Sequence, residues 1–114
     1  VLPVALLVIL SNPLPLVRDL AAREDACEFY APVLASLRQH GLDTDDLREI
    51  IRSELGDAHC FRTKPTEKYF PATMSDYYAI WVDDCWAQMF IKLLVVSTPQ
   101  ARLVVTSFKR DERI

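Results

Sequence analysis

A chain of 114 residues has room for one hydrophobic core and one domain, and its balance of half hydrophobic and one quarter charged residues is that of a globular and not a disordered chain. Two glycines in the whole chain exclude the glycine-rich loops that cradle nucleotide phosphates. A net charge of −3 argues against a nucleic-acid partner for the molecule as a whole, but the charge is unevenly spread. Residues 1–60 hold five arginines against ten carboxylates, and residues 61–114 hold eight basic against six acidic side chains. The pattern predicts an acidic helical half followed by a mildly basic sheet half.

In chain order, Val1 to Leu10 is strongly apolar, yet about half the length needed to span a bilayer. It has no basic flank or small-residue cleavage site of the kind a secretory signal carries. Residues 1–15 are therefore expected to form a buried strand or an irregular apolar arm. Asn12, Pro13 and Pro15 break regular structure. Leu16 to His40 follows helical spacing, with Leu16, Leu20, Cys27, Tyr30, Leu34 and Leu37 on one face, and Pro32 predicts a kink or two abutting helices near Tyr30. Gly41 suits a left-handed C-cap, with Leu42 packing back. Asp43 or Thr44 then caps a second helix whose apolar stripe is Leu47, Ile50, Ile51 and Leu55.

Ala58 to Lys64 reads as a short strand, and Lys64 to Pro71 as a charged loop interrupted by two prolines. From Tyr77 onward come three runs rich in Val, Ile, Phe, Tyr, Trp and Thr: Tyr77–Val82, Trp86–Val96 and Arg102–Lys109. The short polar breaks between them favour antiparallel neighbours, since a parallel return needs a crossover of about a dozen residues or more. The fold class is thus α+β, with N-terminal helices packed on a small antiparallel meander. Alternation places Ala87, Met89, Ile91, Leu93 and Val95 toward the helices, and Gln88, Phe90, Lys92, Leu94 and Val96 on a more open face. A turn at Asp83-Asp84 sets Trp81 opposite Trp86 as a packing pair. The second hairpin leaves the face of Lys109 open, and a bulge near Phe108 would bring it to the Lys92 side. Cys27, Cys60 and Cys85 are odd in number and lack metal-ligand spacing, which favours a reducing cytoplasm over a disulfide framework.

From about Leu37 the ordered elements resemble the MqsR family of bacterial toxin ribonucleases, which share the RelE-like fold. The resemblance is carried by Leu42-Asp43 before the second helix, Phe61-Arg62-Thr63-Lys64 after it, Ile80-Trp81-Val82-Asp83, Phe90-Ile91-Lys92-Leu93, and the closing Val104-Val105-Thr106-Ser107-Phe108-Lys109. It covers about two-thirds of the chain and leaves residues 1–36 outside it. It implies an endoribonuclease that cuts mRNA without a metal ion or other cofactor. It also implies neutralisation by a cognate antitoxin protein, in a toxin–antitoxin complex or a dimer, with no membrane involved. In such chemistry the 2′-hydroxyl of the RNA attacks the adjacent phosphorus, and the protein holds the phosphate, stabilises added negative charge and moves protons.

Carried over residue by residue, Lys109 matches the family's closing lysine, and Arg62 or Lys64 matches the basic residue after the second helix. Phe90 stands where some members place a catalytic tyrosine, and Val82 where some have glutamine. Tyr77, Tyr78 and His59 are the candidates to move a proton in its place. Lys92, Lys68 and Arg110 complete the set as candidate RNA contacts. The missing hydroxyl at Phe90 and the acidic net charge keep an alternative open, a non-catalytic module of the same fold that binds RNA or a protein.

Overall fold

A computed structural model describes residues 10–113. Residues 1–9 of the expected apolar arm lie outside the described residues; Leu10 packs against the core. The elements are α1 (Leu14–Ala21), β1 (Cys27–Phe29), α2 (Ala31–Gln39), α3 (Thr44–Ser53), β2 (Cys60–Pro65), β3 (Met74–Val82), β4 (Ala87–Val96) and β5 (Arg102–Arg110). Single 3₁₀ turns precede β1, β2 and β4. The five strands form one sheet in the order β1-β5-β4-β3-β2. The architecture is α+β, as the sequence pattern requires. No helix among the described residues is long and apolar enough to cross a membrane.

Two details of the helical half differ from expectation. Pro15 does not stop a helix; it sits in the first turn of α1, where a missing N–H costs nothing. Pro32 occupies the same position in α2, so no kinked helix exists. Between the two helices the chain runs extended as Cys27–Phe29 and pairs in parallel with Leu103–Val105 of β5. The sheet is therefore mixed, not purely antiparallel. The single helical face from Leu16 to Leu37 is not realised: Leu16 is exposed, and the buried positions are Leu14, Val17, Leu20, Ala21, Val33 and Leu37.

The second half of the helical region follows the sequence closely. Gly41 adopts φ +69°, and the Leu42 N–H bonds the Leu37 carbonyl at 2.8 Å, closing α2. Asp43 caps α3: its carboxylate accepts the Asp46 N–H at 2.9 Å, and the Asp46 carboxylate accepts the Asp43 N–H at 2.9 Å. Replacing Asp43 with Ala is expected to lower stability by about 1 kcal/mol, read as a shift in the denaturant midpoint. Leu47, Ile50, Ile51 and Leu55 are buried with Leu14, Val17, Leu20, Val33 and Leu37 against one face of the sheet. That sheet face supplies Tyr78, Ile80, Val82, Met89, Ile91, Leu93, Leu103, Val105 and Phe108.

A polar clamp joins the segment before α1 to this core. Asp76, with no exposed surface, accepts the backbone N–H of Ser11 and of Asn12, the Asn12 side-chain amide and the Thr63 hydroxyl. Asn12 also donates to the Met74 carbonyl and accepts the Val95 N–H at 2.9 Å. The break at Ser11-Asn12 is thus a peg fixed across β3 and β4.

Candidate functional site on the open face of the sheet

The face turned away from the helices has two parts. At one end Leu94, Val96 and Val104 are buried beneath Tyr30 and Phe70, where the loop between β2 and β3 folds over the sheet. Leu94 and Val96 thus lie on the face away from the helices, as alternation expects, but the loop residue Phe70 roofs them. Beyond that roof the face opens onto Phe61, Tyr77 and Phe90. Their rings meet pairwise with centroids 5.6 to 6.2 Å apart, two of the three pairs edge-to-face.

Cations ring this aromatic floor. Lys92 lies directly opposite Tyr77 in the β3–β4 ladder, and its Nζ is 5.3 Å from the Tyr77 ring centre. Lys109 lies opposite Phe90, with its Nζ 5.6 Å from that ring. The register puts Lys109 two residues beyond Ser107, the partner of Lys92, so the two lysines are diagonal neighbours on one face, roughly 7–8 Å apart at the backbone. A bulge produces this register, but at Thr106 rather than at Phe108: Lys92 pairs with Ser107 while Leu93 pairs with Val105, leaving Thr106 as the extra residue. Among the described residues neither Lys92 nor Lys109 has a carboxylate partner.

Arg113 joins the floor from the C-terminal segment. The Asp111 N–H bonds the Gln88 carbonyl at 2.8 Å, extending the ladder past β5. The Arg113 guanidinium then stacks on Phe61, 3.4 Å from its ring centre, while bonding the Asp111 carboxylate at 3.0 Å. These bonds hold the Asp111 carboxyl below its ordinary range. The sequence pattern carries no signal for Arg113, because its contact with Phe61 joins segments about fifty residues apart. Phe61 is among the residues that carry the resemblance, but its place in the floor depends on the bulge between Cys60 and Arg62.

The other candidate residues separate clearly. Arg62 is exposed on β2 and pairs with Tyr77, so it borders the floor. Lys64 pairs with Ser75 further along and lies 3.8 Å from Glu67. Lys68 lines a cleft shared with Lys92. Arg110 pairs with Met89, a core-facing position, so alternation sends it away from the open face. His59 sits in the turn before β2, where its Nδ1 accepts the Gly56 N–H. Of the two adjacent tyrosines, Tyr77 faces the open side and Tyr78 does not.

Tyr78 is completely buried among the core residues, and its hydroxyl has no hydrogen-bond partner among the described residues. Burial, reinforced by Asp76, drives its pKa well above the ordinary phenol range. Enclosed in the core, Tyr78 has no surface to present to RNA and is not a catalytic group of the open face. Because an unmade buried hydrogen bond is destabilising, Tyr78→Phe is expected to raise stability by about 1 kcal/mol in chemical denaturation, with the open face unchanged.

At the hairpin tip Trp81 and Trp86 meet edge-to-face at 6.1 Å, while Trp81 pairs with Gln88 in the ladder. Trp86 is 81% exposed and left-handed, so the pair packs on itself at the surface. Among the described residues no three His, Cys, Asp or Glu side chains cluster so as to hold a metal ion. The arrangement offers flat aromatic surfaces beside unpaired cations, a combination suited to unpaired bases and their phosphates. No family model matches the chain, and no curated protein is found to be similar to it.

Proposed function

We propose that this chain is a metal-independent endoribonuclease of the RelE-like kind, the mRNA-cleaving toxin of a cytoplasmic toxin–antitoxin pair. The observation that carries the reading is the meeting of Tyr77, Lys92 and Lys109 on one open, aromatic-floored sheet face. Lys92 and Lys109 hold the scissile phosphate and offset the charge that builds on its oxygens. The 2′-oxygen of the RNA bonds to phosphorus, the bond to the 5′-oxygen breaks, and the proton lost by the 2′-hydroxyl is balanced by one delivered to the leaving oxygen. Tyr77, directly across the ladder from Lys92, supplies the hydroxyl for that transfer. Arg62 and the stacked Arg113 extend the cationic rim along the flanking phosphates. A cognate antitoxin would neutralise the enzyme by covering this face.

The products test this reading. With excess EDTA, purified protein is expected to cut single-stranded RNA and leave 2′,3′-cyclic phosphate and 5′-hydroxyl ends, both visible by mass spectrometry. Cleavage that appears only on adding a divalent ion would overturn it. The central position of Phe90, where a hydroxyl would have stood among the reacting groups, favours a second reading, an RNA-binding module without chemistry. Tight RNA binding with intact RNA recovered in EDTA supports that alternative.

A further inference from the structure

The loop between β2 and β3 does more than roof the second cluster. Phe70 and Ala72 both adopt positive φ, 57° and 65°, a conformation that side-chain-bearing residues rarely take. Local hydrogen bonds hold it: the Thr73 hydroxyl donates to the Phe70 carbonyl at 2.6 Å, and the hydroxyls of Thr66, Thr73 and Ser75 are linked at 2.8 Å. The result is a division between neighbours. Phe70 turns inward onto Leu94, Val96 and Val104, with the Arg102 guanidinium 5.5 Å from its ring. Tyr69 turns outward, 60% exposed, and stands edge-on to Tyr30 at 5.9 Å.

Between Tyr69 and the sheet lies a cleft of about 360 Å³. Tyr30 and Tyr69 form its aromatic side, Thr106 and Ser107 of the bulged strand supply hydroxyls, Glu67 supplies a carboxylate, and Lys92 stands at the end shared with the open face. The Glu67 charge is offset by Lys64 at 3.8 Å, so the carboxylate can accept base N–H groups without repelling the chain that carries them. The bulge at Thr106 belongs to the same feature, because it sets Ser107 opposite Lys92 at the mouth of the cleft.

We propose that this cleft is a nucleobase subsite. An unpaired base of single-stranded RNA, next to the phosphate held by Lys92, enters it and stacks on Tyr69, with its polar edge toward Glu67, Thr106 and Ser107. Tyr69 is then a specificity-determining residue for one flanking position. The inference rests on the RNA reading of the open face, but it concerns recognition and not bond breaking.

A 2′-O-methyl RNA oligonucleotide cannot be cleaved by its own 2′-hydroxyl, so it separates the two. With 2-aminopurine placed at successive positions, wild-type protein is expected to quench fluorescence strongly at one position. Tyr69→Ala is expected to remove that quenching and raise Kd roughly 10-fold, the loss expected for one base–aromatic stack, whereas Tyr69→Phe retains both. Tyr69 is exposed, and an unchanged thermal midpoint will show that the variants are folded. If wild-type and Tyr69→Ala bind and quench alike, the subsite is refuted while the RNA reading stands. If wild-type protein binds none of the oligonucleotides, both are refuted. If it binds and quenches as expected but leaves ordinary RNA uncut, the subsite stands and the catalytic reading is refuted.

Discussion

Lys92→Ala and Lys109→Ala should each slow RNA cleavage by roughly 10²- to 10³-fold, the usual loss when one group that stabilises a developing oxyanion is removed. The two lysines are expected to act differently within that range. Lys92 is partly buried between Tyr77 and Ser107, so its charge works where water is thinner and attraction to a phosphate is stronger. Lys109 is exposed and carries an unpaired charge at the edge of the floor. Lys92→Ala should therefore be the more severe change and the less relieved by low salt. Neither side chain belongs to the buried core, so both variants should retain the wild-type thermal midpoint. Tyr77→Phe should also lose about 10²-fold or more in rate, with RNA affinity little changed because the ring stays in place. Wild-type rates in both lysine variants, measured by single-turnover cleavage, would remove them from the site.

The largest stability effect is expected at Asp76. Its two oxygens receive four hydrogen bonds from Ser11, Asn12 and Thr63 in a site without solvent exposure. Asp76→Ala leaves buried N–H groups with no acceptor and releases the peg that holds the segment before α1 on the sheet. Charged hydrogen bonds of this kind contribute about 1.5–3 kcal/mol each, and their losses overlap, so a total near 4 kcal/mol is expected. The denaturant midpoint measures it. Asn12→Ala should reproduce part of the loss and add little to Asp76→Ala, since both changes dismantle one network; full additivity in the double-mutant cycle would contradict a shared clamp.

The legible parts of this fold were those written in local chemistry. Asp43 or Thr44 announces a helix cap, a place that Asp43 fills, Gly41 a left-handed turn, and the alternation of Ala87 to Val95 the core side of a strand, because each depends only on neighbours in sequence. The antiparallel order of β3, β4 and β5 was legible from the short breaks between them, but the parallel partner of β5 and the registers were not. Cys27–Phe29 is too short to read as a strand and is extended only because Leu103–Val105 lies beside it. The choice between Tyr77 and Tyr78 needed the β3–β4 register, and the face of Lys109 needed the bulge at Thr106. Arg113 reaches its position because the Asp111–Gln88 bond carries the ladder past β5, and Tyr69 through the loop between β2 and β3. Of the candidates read from the sequence, Lys92, Lys109, Arg62 and Tyr77 share the open face. Tyr78 is drawn into the core, and Arg110 is turned away from that face by the two-residue period of its strand.

RNA is expected to bind on the open face of the sheet, over Tyr77, Lys92 and Lys109. Amide chemical shifts followed during titration with a non-cleavable single-stranded oligonucleotide test this most directly. The expected result is perturbation concentrated at Arg62, Tyr77, Phe90, Lys92 and Lys109, weakening steeply as salt is raised, with α1 and α3 unaffected. Shifts confined to the helical side, or a spectrum unchanged by RNA at low salt, would contradict it.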